Sequence, residues 1–185
     1  MILTLTGASG TGKTTLAKML YAAVPGSGPL VSYTTRPKRD TDLPGDYAYV
    51  SPVEFESMDK HGDFLWTANV GVTRYGTTKD ALRHALEDQE RIHLMVLVPE
   101  RVPNVHEYAA SIGKSDQVKS FLFETPVEST LRERMKGRGE SAEGIEGRIR
   151  DTGAFESSAI ATGISFIRIP DLDLDKKLEF LVSKI

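Results

Sequence analysis

The sequence predicts an α/β fold, a doubly wound parallel sheet interrupted by one small mixed insert. Near-continuous apolar runs at 2–6, 92–98 and 118–124 read as strands buried on both faces. Helical patterns follow them, with start and stop signals at their ends. Between residues 34 and 78 the texture changes to Pro, Gly, Asp, aromatic residues and short alternating runs.

Taken in order, ILTLT (2–6) is a strand and TTLAKMLYAAV (14–24) a helix closed by Pro25 and Gly26. PLVSY (29–33) predicts a second short strand. In the insert, DYAYVS (46–51) alternates as a half-exposed antiparallel strand does. SPVE (51–54) opens a helix, with Ser51 as N-cap, Pro52 at the first position and Glu54 closing a capping box. FLWTANVGV (64–72) reads as a strand. The strand–helix rhythm then resumes with a helix over 78–87 and the strand IHLMVLV, while 99–114 carry no decisive pattern. After VKSFLFE (118–124), TPVE (125–128) repeats the capping signature before STLRERMK. The polar stretch 137–150 holds four glycines and predicts a poorly rigid helix, as a closing lid requires. ISFIRI (164–169) predicts the last strand, followed by a helix from about Asp173.

Composition narrows the function. The chain has 185 residues, enough for one core and a mobile subdomain. A net charge of −3 argues against nonspecific nucleic-acid binding. Cysteine is absent, which removes disulfides, thiolate metal sites and cysteine nucleophiles. The four histidines show no metal-ligand spacing. With no leader segment and no long apolar run, the expectation is a cytoplasmic protein with no membrane partner.

GASGTGKT (7–14) fits G-x-x-x-x-G-K-[ST] between a strand and a helix, the context a P-loop needs. Gly7, Gly10 and Gly12 let backbone N–H groups converge on phosphate, with Ser9, Thr11 and Thr15 in the same cradle. Lys13 brings charge to the β and γ phosphates, and the Thr14 hydroxyl is placed for Mg²⁺. The helix N-terminus adds its partial positive charge. These residues predict ATP with Mg²⁺. A GTPase would need an N-K-x-D motif, which does not occur, and a motor ATPase a longer chain. A small kinase needs a second anion site for its acceptor. VSYTTRPKRD (31–40) supplies two arginines, Arg36 and Arg39, around a stiffening Pro37 in an acidic chain. Two guanidinium forks this close repel unless they share an anion.

These stretches, with DYAYVS, the FL…RYGTT run at 64–78 and RERMKGRG, resemble the guanylate kinase family. The resemblance implies a P-loop kinase core over 1–33 and 79–185, a lid at about 137–150 and a monophosphate-binding subdomain over 34–78. It implies that Arg36, Arg39, Tyr47 and Tyr75 hold the acceptor's phosphate, and that Ser32 and Thr77 bond the edge of its base. Arg134, Arg138 and Arg148 would join Lys13 at the transferring phosphates. The partners would be ATP and a nucleoside monophosphate. Composition and spacing do not indicate an oligomeric state.

The family reads guanine with two carboxylates, and the matching positions here hold other residues. Trp66 stands where the first would be, and Met95 and Leu97 where an acidic strand end would be. Indole only donates, and Met and Leu offer nothing equivalent to guanine's N–H groups. Either another acid such as Asp63 reads the base, or base choice has changed and Trp66 fills the space or stacks on a different base. The family's Asn-Asp before the last helix is Pro170-Asp171 here. Two further readings stay open: a sugar-phosphate kinase resembling ribose bisphosphate phosphokinase, and a non-catalytic phosphopeptide-binding module of the same fold.

Overall fold

The structure, a computed structural model, describes residues 1–39, 42, 45, 47–137 and 139–185. In chain order its elements are β1 (Ile2–Thr6), α1 (Lys13–Ala23), β2 (Ser27–Pro29), β3 (Ser32–Thr34), β4 (Tyr47–Tyr49), α2 (Pro52–His61), β5 (Phe64–Val70), β6 (Thr73–Thr78) and α3 (Lys79–Glu87). Then come β7 (Ile92–Val96), α4 (Val102–Ser111), β8 (Val118–Phe123), α5 (Glu128–Lys136), α6 (Ala142–Ala161), β9 (Ile167–Ile169) and α7 (Leu174–Val182). Among the described residues no helix is long and apolar enough to cross a membrane.

The apolar runs form a five-stranded sheet in the order β2-β7-β1-β8-β9, parallel throughout. β1 lies at its centre, and all of its residues are buried. The period of two along a strand divides its side chains between two cores. Leu3 and Leu5 pack with Leu16 and Leu20 of α1 and Leu181 of α7. Ile2 faces the other way, with Leu82 and Leu86 of α3 and Val102 and Val105 of α4. Helices on both faces of a parallel sheet are the doubly wound arrangement expected. A small third cluster of Leu131, Met135 and Ile145 joins α5 to α6.

β3, β4, β5 and β6 build a second sheet in the order β4-β3-β6-β5. Ser51 opens α2 with the capping box expected: its hydroxyl accepts from Glu54 N at 3.2 Å, and Glu54 Oε2 accepts from Ser51 N at 2.7 Å. Several local expectations need correction. The stretch 29–33 is not one strand but two, because the chain leaves the first sheet at Pro29 and enters the second at Ser32. β4 runs parallel to β3, not antiparallel, with Ser32 opposite Tyr47 and Thr34 opposite Tyr49. The strand from Phe64 ends at Val70, where Gly71 adopts φ 59° and starts a hairpin into β6. The 125–128 signature does not cap α5, whose N-cap is Val127 without a side-chain bond. The ambiguous stretch is a 3₁₀ turn at Pro99–Arg101 leading into α4. Residues 142–150 lie within the 20-residue helix α6, despite their glycines, because Ser141 caps it and Ile145 anchors it. The last strand is confined to Ile167–Ile169.

Gly76 explains how the second sheet closes on α2. A Cβ there would lie 2.7 Å from Phe64 Cδ1 and 3.2 Å from Phe55 Cζ, and those two rings stack at 4.5 Å. Gly76→Ala should therefore lower stability by about 1–3 kcal/mol through overpacking, measured as a shift in the urea midpoint. An unchanged midpoint would mean that the Phe pair yields without cost.

Candidate functional site

The P-loop turns sharply out of β1 into α1. Gly10 and Gly12 take φ of 87° and 96°, the left-handed region that glycine enters without penalty. Gly7 is needed for space, since a Cβ there would sit 2.8 Å from Phe123 Cβ. The Ala8 carbonyl accepts from Thr11 Oγ1 at 2.9 Å and from Lys13 Nζ at 2.8 Å. Thr14 and Thr15 are exposed on the first turn of α1. Arg148, from α6, donates to Ser9 Oγ at 2.5 Å and pairs with Glu140 at 2.8 Å. Arg134, at the end of α5, reaches the Gly10 carbonyl at 3.4 Å and Asp171 at 3.5 Å. Thus Arg134 and Arg148 both converge on the P-loop, while Arg138 lies outside the described residues. A cleft of about 690 Å³ runs from Gly10, Thr11 and Gly12 to Asp171 and Leu174 at the start of α7.

The turn after β3, where the sequence predicts a second anion site, is fixed by the two threonines before Arg36. Thr34 Oγ1 donates to the Arg74 carbonyl at 3.0 Å and accepts from Arg36 N at 3.1 Å. Thr35 Oγ1 accepts from Arg74 N at 2.9 Å, which ties this turn to β6. Arg36 is only 9% exposed, and its guanidinium lies 5.3 Å from the centre of the Tyr47 ring. Tyr75 meets the same ring edge-on at 5.9 Å. Arg36, Tyr47 and Tyr75 therefore come together as one basic, aromatic corner.

That corner already holds an anion. Arg36 Nη2 donates to both oxygens of Asp42 at 2.9 Å, while Nη1 donates to the Pro37 carbonyl at 3.1 Å. Asp42 also accepts from Tyr49 Oη at 2.7 Å and from the Arg39 backbone N–H at 2.8 Å. Arg36 holds the Asp42 carboxyl far below the usual carboxylate range, assisted by Tyr49 and the Arg39 N–H. Sequence reasoning did not single out Asp42. The available signal was an acid six residues beyond an arginine that burial would otherwise leave uncompensated.

The residues expected at the base edge lie against an apolar cluster. Ser32 and Thr77 share a hydroxyl hydrogen bond of 2.9 Å. Trp66 pairs with Thr77 across the β5–β6 ladder, at a register shift after Phe64. It is 9% exposed and belongs to one cluster with Leu30, Met95 and Leu97. Its buried indole Nε1 has no hydrogen-bond partner among the described residues.

The family model described as guanylate kinase matches residues 1–152, which include the P-loop, the second sheet and Arg148. The chain belongs to the guanylate kinase family. It is 35% identical over 155 residues to a guanylate kinase of Rhodopseudomonas palustris (strain CGA009), covering 83% of this chain and 68% of that one. It is 33% identical over 168 residues to a guanylate kinase of Polaromonas sp. (strain JS666), covering 89% and 76%. The crystal structure of guanylate kinase from Anaplasma phagocytophilum superposes on the whole chain and on 83% of its own, with a TM-score of 0.65 at 19% identity. That structure supports the P-loop kinase fold, and the family makes this chain a nucleoside monophosphate kinase, a phosphotransferase.

The Asp42–Arg36 pair carries a pH signature. A carboxylate whose folded pKa is depressed adds stability above its unfolded value, about 3.9, and loses it as pH falls through the folded one. At pH 7 Asp42→Asn should be less stable than the wild type in urea, and the gap should narrow below about pH 4. A gap that stays constant down to pH 3 would show that the carboxylate's charge contributes nothing to folding.

Proposed function

We propose that the chain transfers the γ-phosphate of ATP to a nucleoside or deoxynucleoside monophosphate whose base is not guanine. The observation that carries this reading is the burial of Trp66, Met95 and Leu97 in a single apolar cluster. Guanine presents N–H donors at its N1 and N2 edge. Buried against these side chains, each unpaired donor would cost about 1–3 kcal/mol. A site without matching partners discriminates strongly against such a base.

In this reading the P-loop, Gly7 to Thr15, cradles the donor triphosphate, and Thr14 supplies a hydroxyl to the Mg²⁺ that accompanies it. Mg²⁺ would neutralise charge on the β and γ phosphates. Lys13, Arg134 and Arg148 surround the transferring group, and the positions of the latter two against Ser9 and Gly10 support that role. Arg36, Arg39, Tyr47 and Tyr75 receive the acceptor's phosphate, with residues 34–78 as its subdomain and 137–150 as a lid. An oxygen of the acceptor phosphate attacks the γ-phosphorus, the bond to the β–γ bridging oxygen breaks, and ADP leaves. A phosphate acceptor is ionised at neutral pH and needs no strong base, so the residues contribute position and charge. Ser32 and Thr77 would trade their mutual hydrogen bond for bonds to the base edge.

A sugar-phosphate acceptor is the second reading, and the same tryptophan favours it. An indole buried in one cluster with Leu30 and Met95 occupies volume that a smaller acceptor would not need.

The test is ADP release from ATP and Mg²⁺ with ribo- and deoxy-monophosphates of each base and with ribose 1,5-bisphosphate. A non-guanine nucleotide should give the highest kcat/KM. Preference for GMP or dGMP would show that another group pairs with guanine, and ribose bisphosphate alone would select the sugar-phosphate reading. Silence across the panel would favour the binding module. Against the best acceptor, Lys13→Ala should abolish transfer, and unchanged turnover would refute the P-loop's role.

A further inference from the structure

Lys177 is 1% exposed and sits one turn inside α7, beyond the residues 1–152 that the family model matches. Burying an ammonium is costly. The start of a helix is also the positive end of its dipole, where a cation gains nothing. Something must offset both terms. Lys177 Nζ donates to Asp171 Oδ1 at 3.0 Å and to the Thr11 carbonyl at 3.3 Å, and lies 5.9 Å from the centre of the Phe123 ring.

Thr11 is a P-loop residue, and this contact constrains the loop's active face. In a trans peptide the carbonyl oxygen and the following N–H lie in one plane and point in opposite directions across the chain. Holding the Thr11 carbonyl on Lys177 therefore turns the Gly12 N–H away from α7. Asp171 is shared, because Arg134 approaches it at 3.5 Å while also reaching the Gly10 carbonyl at 3.4 Å. Two P-loop carbonyls are thus held by two cations that lean on one carboxylate.

We infer that Lys177 is a positioning residue for the donor nucleotide. It fixes the peptide between Thr11 and Gly12 so that the loop's N–H groups face the triphosphate, and it acts through the loop without touching phosphate. The inference rests on the reading of this site as the ATP site. An ordinary buried ion pair would stabilise the fold and leave ATP affinity alone.

The experiment compares wild type with Lys177→Met and Lys177→Gln, measuring melting temperature, ATP·Mg²⁺ affinity by calorimetry and KM for each substrate. Glutamine keeps an N–H donor for the Thr11 carbonyl but no charge. Lys177→Met should weaken ATP binding about tenfold, the scale of one hydrogen bond to a charged or well-placed group, with the acceptor's KM within about twofold. Lys177→Gln should recover most of that loss at a similarly lowered melting temperature. Unchanged ATP affinity in the methionine variant, or equal loss in both, would overturn the inference. If Lys177→Met does not fold, Asp171→Asn/Lys177→Met measured against Asp171→Asn removes the stranded carboxylate and reads the same affinity, with equal values overturning it. Failure of the wild type to bind ATP would instead overturn the kinase reading itself.

Discussion

The constraint behind this structure is the orientation of a few peptide planes between β1 and α1. For backbone N–H groups to face a phosphate, the carbonyls of the same loop must turn away and find donors elsewhere. The Ala8 carbonyl finds Thr11 and Lys13, the Gly10 carbonyl finds Arg134, and the Thr11 carbonyl finds Lys177. Apart from Thr11, which belongs to the loop itself, those donors come from α1, α5 and α7, so the helices that surround the loop serve it as well as the core. The central position of β1, paired on both edges, gives that loop its rigid base.

The acceptor side follows a different logic. Its anion corner is polar and densely bonded around Arg36 and Asp42, whereas its base side is continuous with the apolar core beneath α3 and α4. In the proposed reading, phosphate recognition and base recognition are therefore separable in this fold. One depends on the turn after β3, the other on which side chains β5 and β7 send into the gap between the sheets.

Much of this was legible in the sequence because it depends on local chemistry. The P-loop glycines, the Ser51 capping box and the doubly buried strands each follow from residue type and spacing. What was not legible depended on partners distant in the chain. Nothing near residues 29–33 reveals that Pro29 pairs with Leu94 while Tyr33 pairs with Gly76. The helical continuity of 142–150 rests on Ile145 packing against α5, which outweighs the poor propensity of its glycines. Asp42 and Lys177 escaped notice for the same reason, since an ordinary charged residue becomes special only when folding buries it against a fixed partner.

The split between β2 and β3 has a mechanical consequence. Only Leu30 and Val31 separate the two sheets on the way in, and Thr78 is both the end of β6 and the cap of α3 on the way out. A rotation of one sheet against the other has just these two joints to turn on. Leu30 is pinned to β7 by its N–H on the Leu94 carbonyl at 2.8 Å, and it packs in the cluster that contains Trp66. The joint at Leu30 thus lies beside Trp66, so a substitution at that tryptophan reaches the link between the two sheets.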